Sequence, residues 1–120
     1  MDNLQFVIAQ GSTPKLALAF PFEVDVDDVV YASIAQDGKV KREWTMNGSP
    51  ATDGRAGTGT LEIDEDDASV MVLSMTQADS LALTAGDAEL QVRIKTSSGA
   101  DTFLPLIGAI VKAHKIGEIT

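Results

Sequence analysis

The chain has no cysteine and a single histidine, His114, in 120 residues. Without thiols there is no disulfide scaffold, thiolate zinc site, iron–sulfur cluster or cysteine nucleophile. One imidazole leaves no multi-histidine metal centre. Aromatics are scarce, with four Phe, one Trp and one Tyr, too few for a sugar-binding surface of several exposed rings. Nine basic residues face eighteen acidic ones, giving a net charge of −9. Nucleic-acid binders neutralise phosphates with clustered Lys and Arg, so nucleic acid is not an expected partner. A membrane is not expected either, because no run approaches the ~18–20 apolar residues of a spanning helix. Met1-Asp2-Asn3-Leu4 lacks the basic and then apolar opening of a signal peptide. The expectation is a cytoplasmic chain, or one that leaves the cytosol by a route other than secretion.

What is present suffices for a fold. Hydrophobic residues make up 44% of the chain, and a chain this long buries roughly two thirds of its unfolded surface. A single domain over residues 1–120 is expected, with no cofactor needed to hold it. The acidic excess lies in residues 1–85, while residues 86–120 are neutral; it is read as a solubility device.

Apolar residues recur mostly with a period of two, the signature of strands with one buried face. Leu4, Phe6 and Ile8 alternate first, and Leu16, Leu18, Phe20 and Phe22 follow after the breakers Gly11 and Pro14. A strand over 29–35 and another over 39–46 flank Asp37-Gly38, a strong hairpin signal. In the second, Val40, Trp44 and Met46 share a side, and Arg42 on that side spoils the pattern. Trp44 is assigned to the core. Residues 47–59 hold four glycines and are expected to be the flexible loop, with protease cuts near Arg55. Strands over 60–64 and 69–75 come next. Thr76 can cap a helix, with Asp79 three residues on as the return half of a capping box. One helical turn over about 76–83 is expected, with Leu81 and Leu83 plugging the bottom of the sandwich. The cleanest alternation is Leu90, Val92 and Ile94, and a last strand runs from Thr102 to Ala113. Seven or eight short strands with almost no helix describe an all-β, antiparallel sandwich.

The chemistry-bearing motifs fail one by one. The acidic runs Asp25–Asp28 and Asp64–Asp67 lack the D-x-[DN]-x-[DN]-G spacing that aims oxygens at one Ca²⁺, so they are read as solvated turns. His114 lies between Lys112 and Lys115 near a strand end, with no sign of an orienting acid and a nucleophile. Gly54-Arg55-Ala56-Gly57-Thr58-Gly59 has neither the Gly-Lys-Ser/Thr ending nor the following helix of a phosphate loop. Asn47-Gly48-Ser49 is a formal glycosylation triplet with no secretory context. No catalytic, cofactor-binding or metal-ligating residue is assigned, and an enzyme is not expected.

Two stretches carry a resemblance. Ala9-Gln10-Gly11-Ser12-Thr13-Pro14 precedes an apolar run ending Ala19-Phe20-Pro21-Phe22. Later come Leu73-Ser74-Met75-Thr76-Gln77-Ala78-Asp79, Gly86, Leu90-Gln91-Val92-Arg93-Ile94 and a closing Gly117-Glu118-Ile119. Over residues 6–119 this order resembles small proteins encoded in tail regions of bacteriophages and prophages of gut bacteria. More distantly it resembles the N-terminal β domain of phage baseplate upper proteins. The glycine-rich stretch 47–59 departs from the pattern, as does Ala88 where the baseplate group has Tyr. The resemblance implies an immunoglobulin-like sandwich and a structural role in the virion, with no catalytic residues to carry over.

The functional expectation is therefore a non-enzymatic tail- or baseplate-associated protein that works by protein–protein assembly. Its partners would be other tail proteins or a second copy in a homo-oligomer. The alternative is a stand-alone binding module for a bacterial protein or glycan. The candidate interface is the last strand, where Leu104, Leu106, Ile107, Ile110 and Val111 exceed what one inward face absorbs. Pro105 and Gly108 would break its ladder and leave backbone groups open.

Overall fold

The structure is a computed structural model that describes residues 5–49, 54–96, 101–103 and 107–112. One sheet contains β1 (Gln5–Ala9), β3 (Val29–Gln36), β4 (Lys39–Met46), β7 (Gly86–Lys95), β8 (Asp101–Phe103) and β9 (Ile107–Lys112). Its order is β1-β9-β7-β3-β4, with β8 paired to β7. The other contains β2 (Lys15–Ala19), β5 (Thr60–Ile63) and β6 (Val70–Ser74) in the order β2-β6-β5. A five-residue helix, α1 (Gln77–Leu81), follows β6. Leu16, Leu18, Met71 and Leu73 from the smaller sheet share one buried cluster with Val30, Ile34, Leu90, Val92 and Ile94 from the larger.

Local chemistry sets most of these elements. Alternation in β7 places Ala88, Leu90, Val92 and Ile94 inside while Glu89, Gln91 and Lys95 are exposed. Asp37 and Gly38 both take positive φ, 53° and 76°, as a tight hairpin turn requires. The chain passes from the larger sheet to the smaller through Gln10–Pro14, where Gly11 has a φ of 82°. Thr76 caps α1 with the full reciprocal box, its hydroxyl accepting from the Asp79 amide and Asp79 accepting from the Thr76 amide.

The structure differs from the sequence expectation in several places. One strand pair, β1–β9, is parallel; these two strands lie at opposite ends of the chain, so no short connection constrains their direction. The last strand is two segments, β8 and β9, both antiparallel to β7. A register shift at Ile34/Ala35 lets Ala35 pair with Val40 while Ile34 pairs with Arg42. The extra residue reverses the facing of what precedes it. Val40 therefore lines the outer face of the sheet, while Trp44 is buried. Phe22 is 37% exposed: β2 ends at Ala19, and Pro21 has no N–H to extend the ladder. Leu83 is buried, but Leu81 is 54% exposed because the helix turns Asp79 and Ser80 inward instead.

Candidate interaction surface

The loop, the helix and the β4 edge are organised around one carboxylate. Asp79 is fully buried. Its Oδ2 accepts from Trp44 Nε1 at 3.1 Å and from the amides of Gly59 at 2.9 Å and Thr76 at 3.2 Å. Its Oδ1 accepts from the Thr58 amide at 2.8 Å. Arg42, the residue that spoiled the β4 pattern, lies on this inward side with Nε 3.7 Å from Oδ1. Burial pushes the Asp79 carboxyl upward, but the N–H donors of Thr58, Thr76, Trp44 and Gly59 together hold it below the ordinary carboxylate value. The capping spacing singled out Asp79 without revealing its burial, because three of the four donors come from outside its own turn.

Two glycines make this site accessible to the loop. A Cβ at Gly57 would lie 2.0 Å from Trp44 Nε1, and one at Gly59 would lie 1.7 Å from the Ser74 carbonyl oxygen. The loop also adds to the β4 edge: the Glu43 amide donates to Arg55 O at 2.9 Å and the Gly57 amide to Glu43 O at 2.8 Å. Of the expected flexible stretch 47–59, residues 50–53 lie outside the described residues, and 55–59 are anchored at both these places. The Thr58 and Gly59 amides are therefore expected to exchange slowly, at a rate set by opening of the Asp79 site. Exchange as fast as in an unstructured peptide, measured by NMR, would contradict this anchoring.

The stretches that carry the resemblance meet in space. Ser80 Oγ accepts from the Gly11 amide at 3.0 Å and donates to Ser12 O at 2.7 Å. Gln10 Nε2 donates to the Leu83 carbonyl. The sheet-crossing turn and the capped helix are thus one bonded unit.

The acidic runs are engaged by their own backbones. Asp28 Oδ2 accepts from the Asp25 amide, and Asp25 Oδ1 from the Asp27 amide. Asp64 Oδ2 accepts from the Asp66 amide. The Ser69 hydroxyl and amide both donate to Asp67 Oδ1 and lower its pKa. Among the described residues no three His, Asp or Glu side chains converge on a metal position. His114 lies outside the described residues.

Of the five candidate interface residues, the three that are described do not share one face. Val111 is only 2% exposed and belongs to the core, as does its β9 neighbour Ala109. Ile107 is half-buried and packs against that core. Ile110 is half-buried and alternates with these inward residues, which puts it on the outer face of the larger sheet. Leu104 and Leu106 lie outside the described residues, as does Pro105. Gly108 does not break the ladder; it pairs with Glu89 on β7 and with Gln5 on β1. Strand β9 is an interior strand, and among the described residues the edge beyond it is β1. The residue missed by sequence reasoning is Val7, the register partner of Ile110 and 60% exposed. Its signal was available, since inward Phe6 and Ile8 leave Val7 facing out.

The outer face of the larger sheet also carries an open hollow of about 290 Å³ lined by Tyr31, Ser33, Val40, Glu43, Gln91 and Arg93. Tyr31 pairs with Arg93 and Ser33 with Gln91 across β3 and β7. The hollow is thus a feature of the sheet surface, flanked by β4.

No protein-family model matches the chain, and no curated protein matches it. Solved structures do. CopC from Methylosinus trichosporium OB3b is similar over 93% of this chain and 87% of its own, with 17% identity and a TM-score of 0.56. The NK cell receptor NKp44, described as a triggering partner in natural cytotoxicity, is similar over 94% of this chain and 99% of its own. Its identity is 13% and its TM-score 0.53. The chain is an immunoglobulin-like β-sandwich. Identities this low speak to the fold alone, because many functions share this architecture.

Proposed function

We propose that this protein is a non-enzymatic structural component of a phage or prophage tail or baseplate, acting by protein–protein assembly. It would be made in the cytoplasm and carried in the virion. The observation that carries the assembly role is the apolar pair Val7 and Ile110, left on the outer face at the β1–β9 flank. Such side chains gain free energy when a partner covers them. The tail context rests on the motif order, whose two stretches are bonded together here through Gln10, Gly11, Ser12 and Ser80. Co-expression with the tail proteins encoded beside its gene is expected to yield a stable complex. Ile110→Asp should weaken that complex by tenfold or more, about 1.4 kcal/mol, with the melting temperature little changed. Absence of any complex, with those proteins or between copies of the chain, or a complex indifferent to Ile110→Asp, would refute the proposal.

The hollow at Tyr31, Gln91 and Arg93 favours a second reading, a module that binds a bacterial protein or glycan. Titration with bacterial surface glycans should then shift the NMR signals of Tyr31 and Gln91 before those of Val7.

A further inference from the structure

We infer that β1 is a self-pairing edge, and that two copies of the chain join antiparallel about Val7 into one continuous sheet. This inference deepens the assembly reading by naming a second copy as the partner at the β1–β9 flank.

The backbone geometry comes first. The Gln10 amide donates to Lys112 O at 3.0 Å, so alternate residues Phe6, Ile8 and Gln10 direct their backbone groups toward β9. Gln5, Val7 and Ala9 direct theirs the other way, where the Ala9 carbonyl already accepts from the Ser12 amide at 3.1 Å and the Ser12 hydroxyl at 2.6 Å. Among the described residues no strand lies on that side. The outward N–H and C=O groups of Gln5 and Val7, with the Ala9 N–H, are the template this edge offers another strand.

The remaining strands with an open side are guarded. The β4 edge carries Lys39, Lys41, Arg42 and Glu43, and the segment around Ala56 bonds to it. Strand β5 carries Glu62, β2 begins at Lys15 directly after Pro14, and β8 begins at Asp101. Charges and prolines are the usual protection against edge pairing. Strand β1, Gln-Phe-Val-Ile-Ala, contains no charge, proline or glycine.

A second copy fits this edge for two reasons. Between Asp2 and Glu23 the chain has no acidic residue, so two molecules of net charge −9 can meet here without carboxylates face to face. The strand is also self-complementary about its middle. A two-fold axis at Val7 sets Gln5 against Ala9 and Phe6 against Ile8, as an isologous contact requires. It joins the exposed Val7 side chains of both copies to the Ile110 side chains beside them, in one apolar stripe.

The absence of native cysteine gives a direct test. In this register the two Val7 positions form a hydrogen-bonded antiparallel pair with Cα atoms about 5.5 Å apart, within the span of a disulfide. The two Gln5 positions would be about 14 Å apart, four residues out of step. Val7→Cys is expected to cross-link under mild oxidation at least about tenfold faster than Gln5→Cys, for which that span is out of reach. Light scattering of the full chain at several hundred micromolar should give twice the chain mass. Val7→Pro should return it to one chain mass while the fold persists, since it removes only an outward N–H. Val7→Lys should do the same and serves as the reporter if the proline variant does not fold. A wild type that stays monomeric, a dimer that survives both variants, or equal cross-linking at the two positions would overturn the pairing. So would a Val7 amide protected from exchange in the monomer, because the edge would then already be covered. If pairing fails while tail proteins still co-purify, the assembly role stands and its partner is a different chain.

Discussion

Asp79→Ala is expected to destabilise the fold by about 3–5 kcal/mol, the scale of breaking a buried charged network by removing one member. Truncation strands the Trp44 indole N–H and the amides of Thr58, Gly59 and Thr76, and leaves Arg42 without its carboxylate. Each buried donor left without an acceptor costs about 1–3 kcal/mol, so the loss is set by the donors and not by the small side chain. Urea denaturation checks the magnitude, and a loss under about 1 kcal/mol would mean that water replaces the carboxylate. The same residue predicts an acid limb. Its folded-state pKa lies below the unfolded value, so its contribution is complete above about pH 4–5 and fades as the pH falls through the folded value. Asp79→Asn keeps the shape and removes the charge. The stability gap between wild type and Asp79→Asn should therefore narrow on acidification; a gap independent of pH would contradict the assignment.

Leu90→Ala and Ile94→Ala are each expected to cost about 2–4 kcal/mol, the transfer term plus the cavity left in a packed core. Both side chains are fully buried on β7, which pairs with β3, β8 and β9. Neighbouring strands on both flanks limit how far the site can collapse to fill the void. Gln91→Ala, on the exposed face of the same strand, should change stability by no more than about 0.5 kcal/mol. Equal losses at Leu90 and Gln91 in chemical denaturation would mean that the alternation does not report the core.

These two predictions differ in where their information came from. That of Leu90 was on the surface of the sequence: the period of two in Glu89–Lys95 fixes which face is inside, because successive side chains point to opposite sides. The Asp37-Gly38 turn, the Thr76–Asp79 box and the core position of Trp44 were legible for the same reason. Each is decided by residues close together in the chain, through φ, capping or alternation. The bulge that turns Val40 outward was not legible, since one extra residue in a strand leaves no compositional trace.

The sequence by itself determined the β class, the hairpin, the capped turn, the inward face of β7 and the exclusion of thiol and multi-histidine chemistry. Tertiary structure alone decided that Asp79 is buried, that Gly57 and Gly59 close over Trp44 and Ser74, and that β9 is interior while β1 forms the edge. Asp79 meets donors 20 to 35 residues away, and β1 meets β9 from the opposite end of the chain. Partners that distant are chosen by how the two sheets stack and order their strands, which no local period encodes.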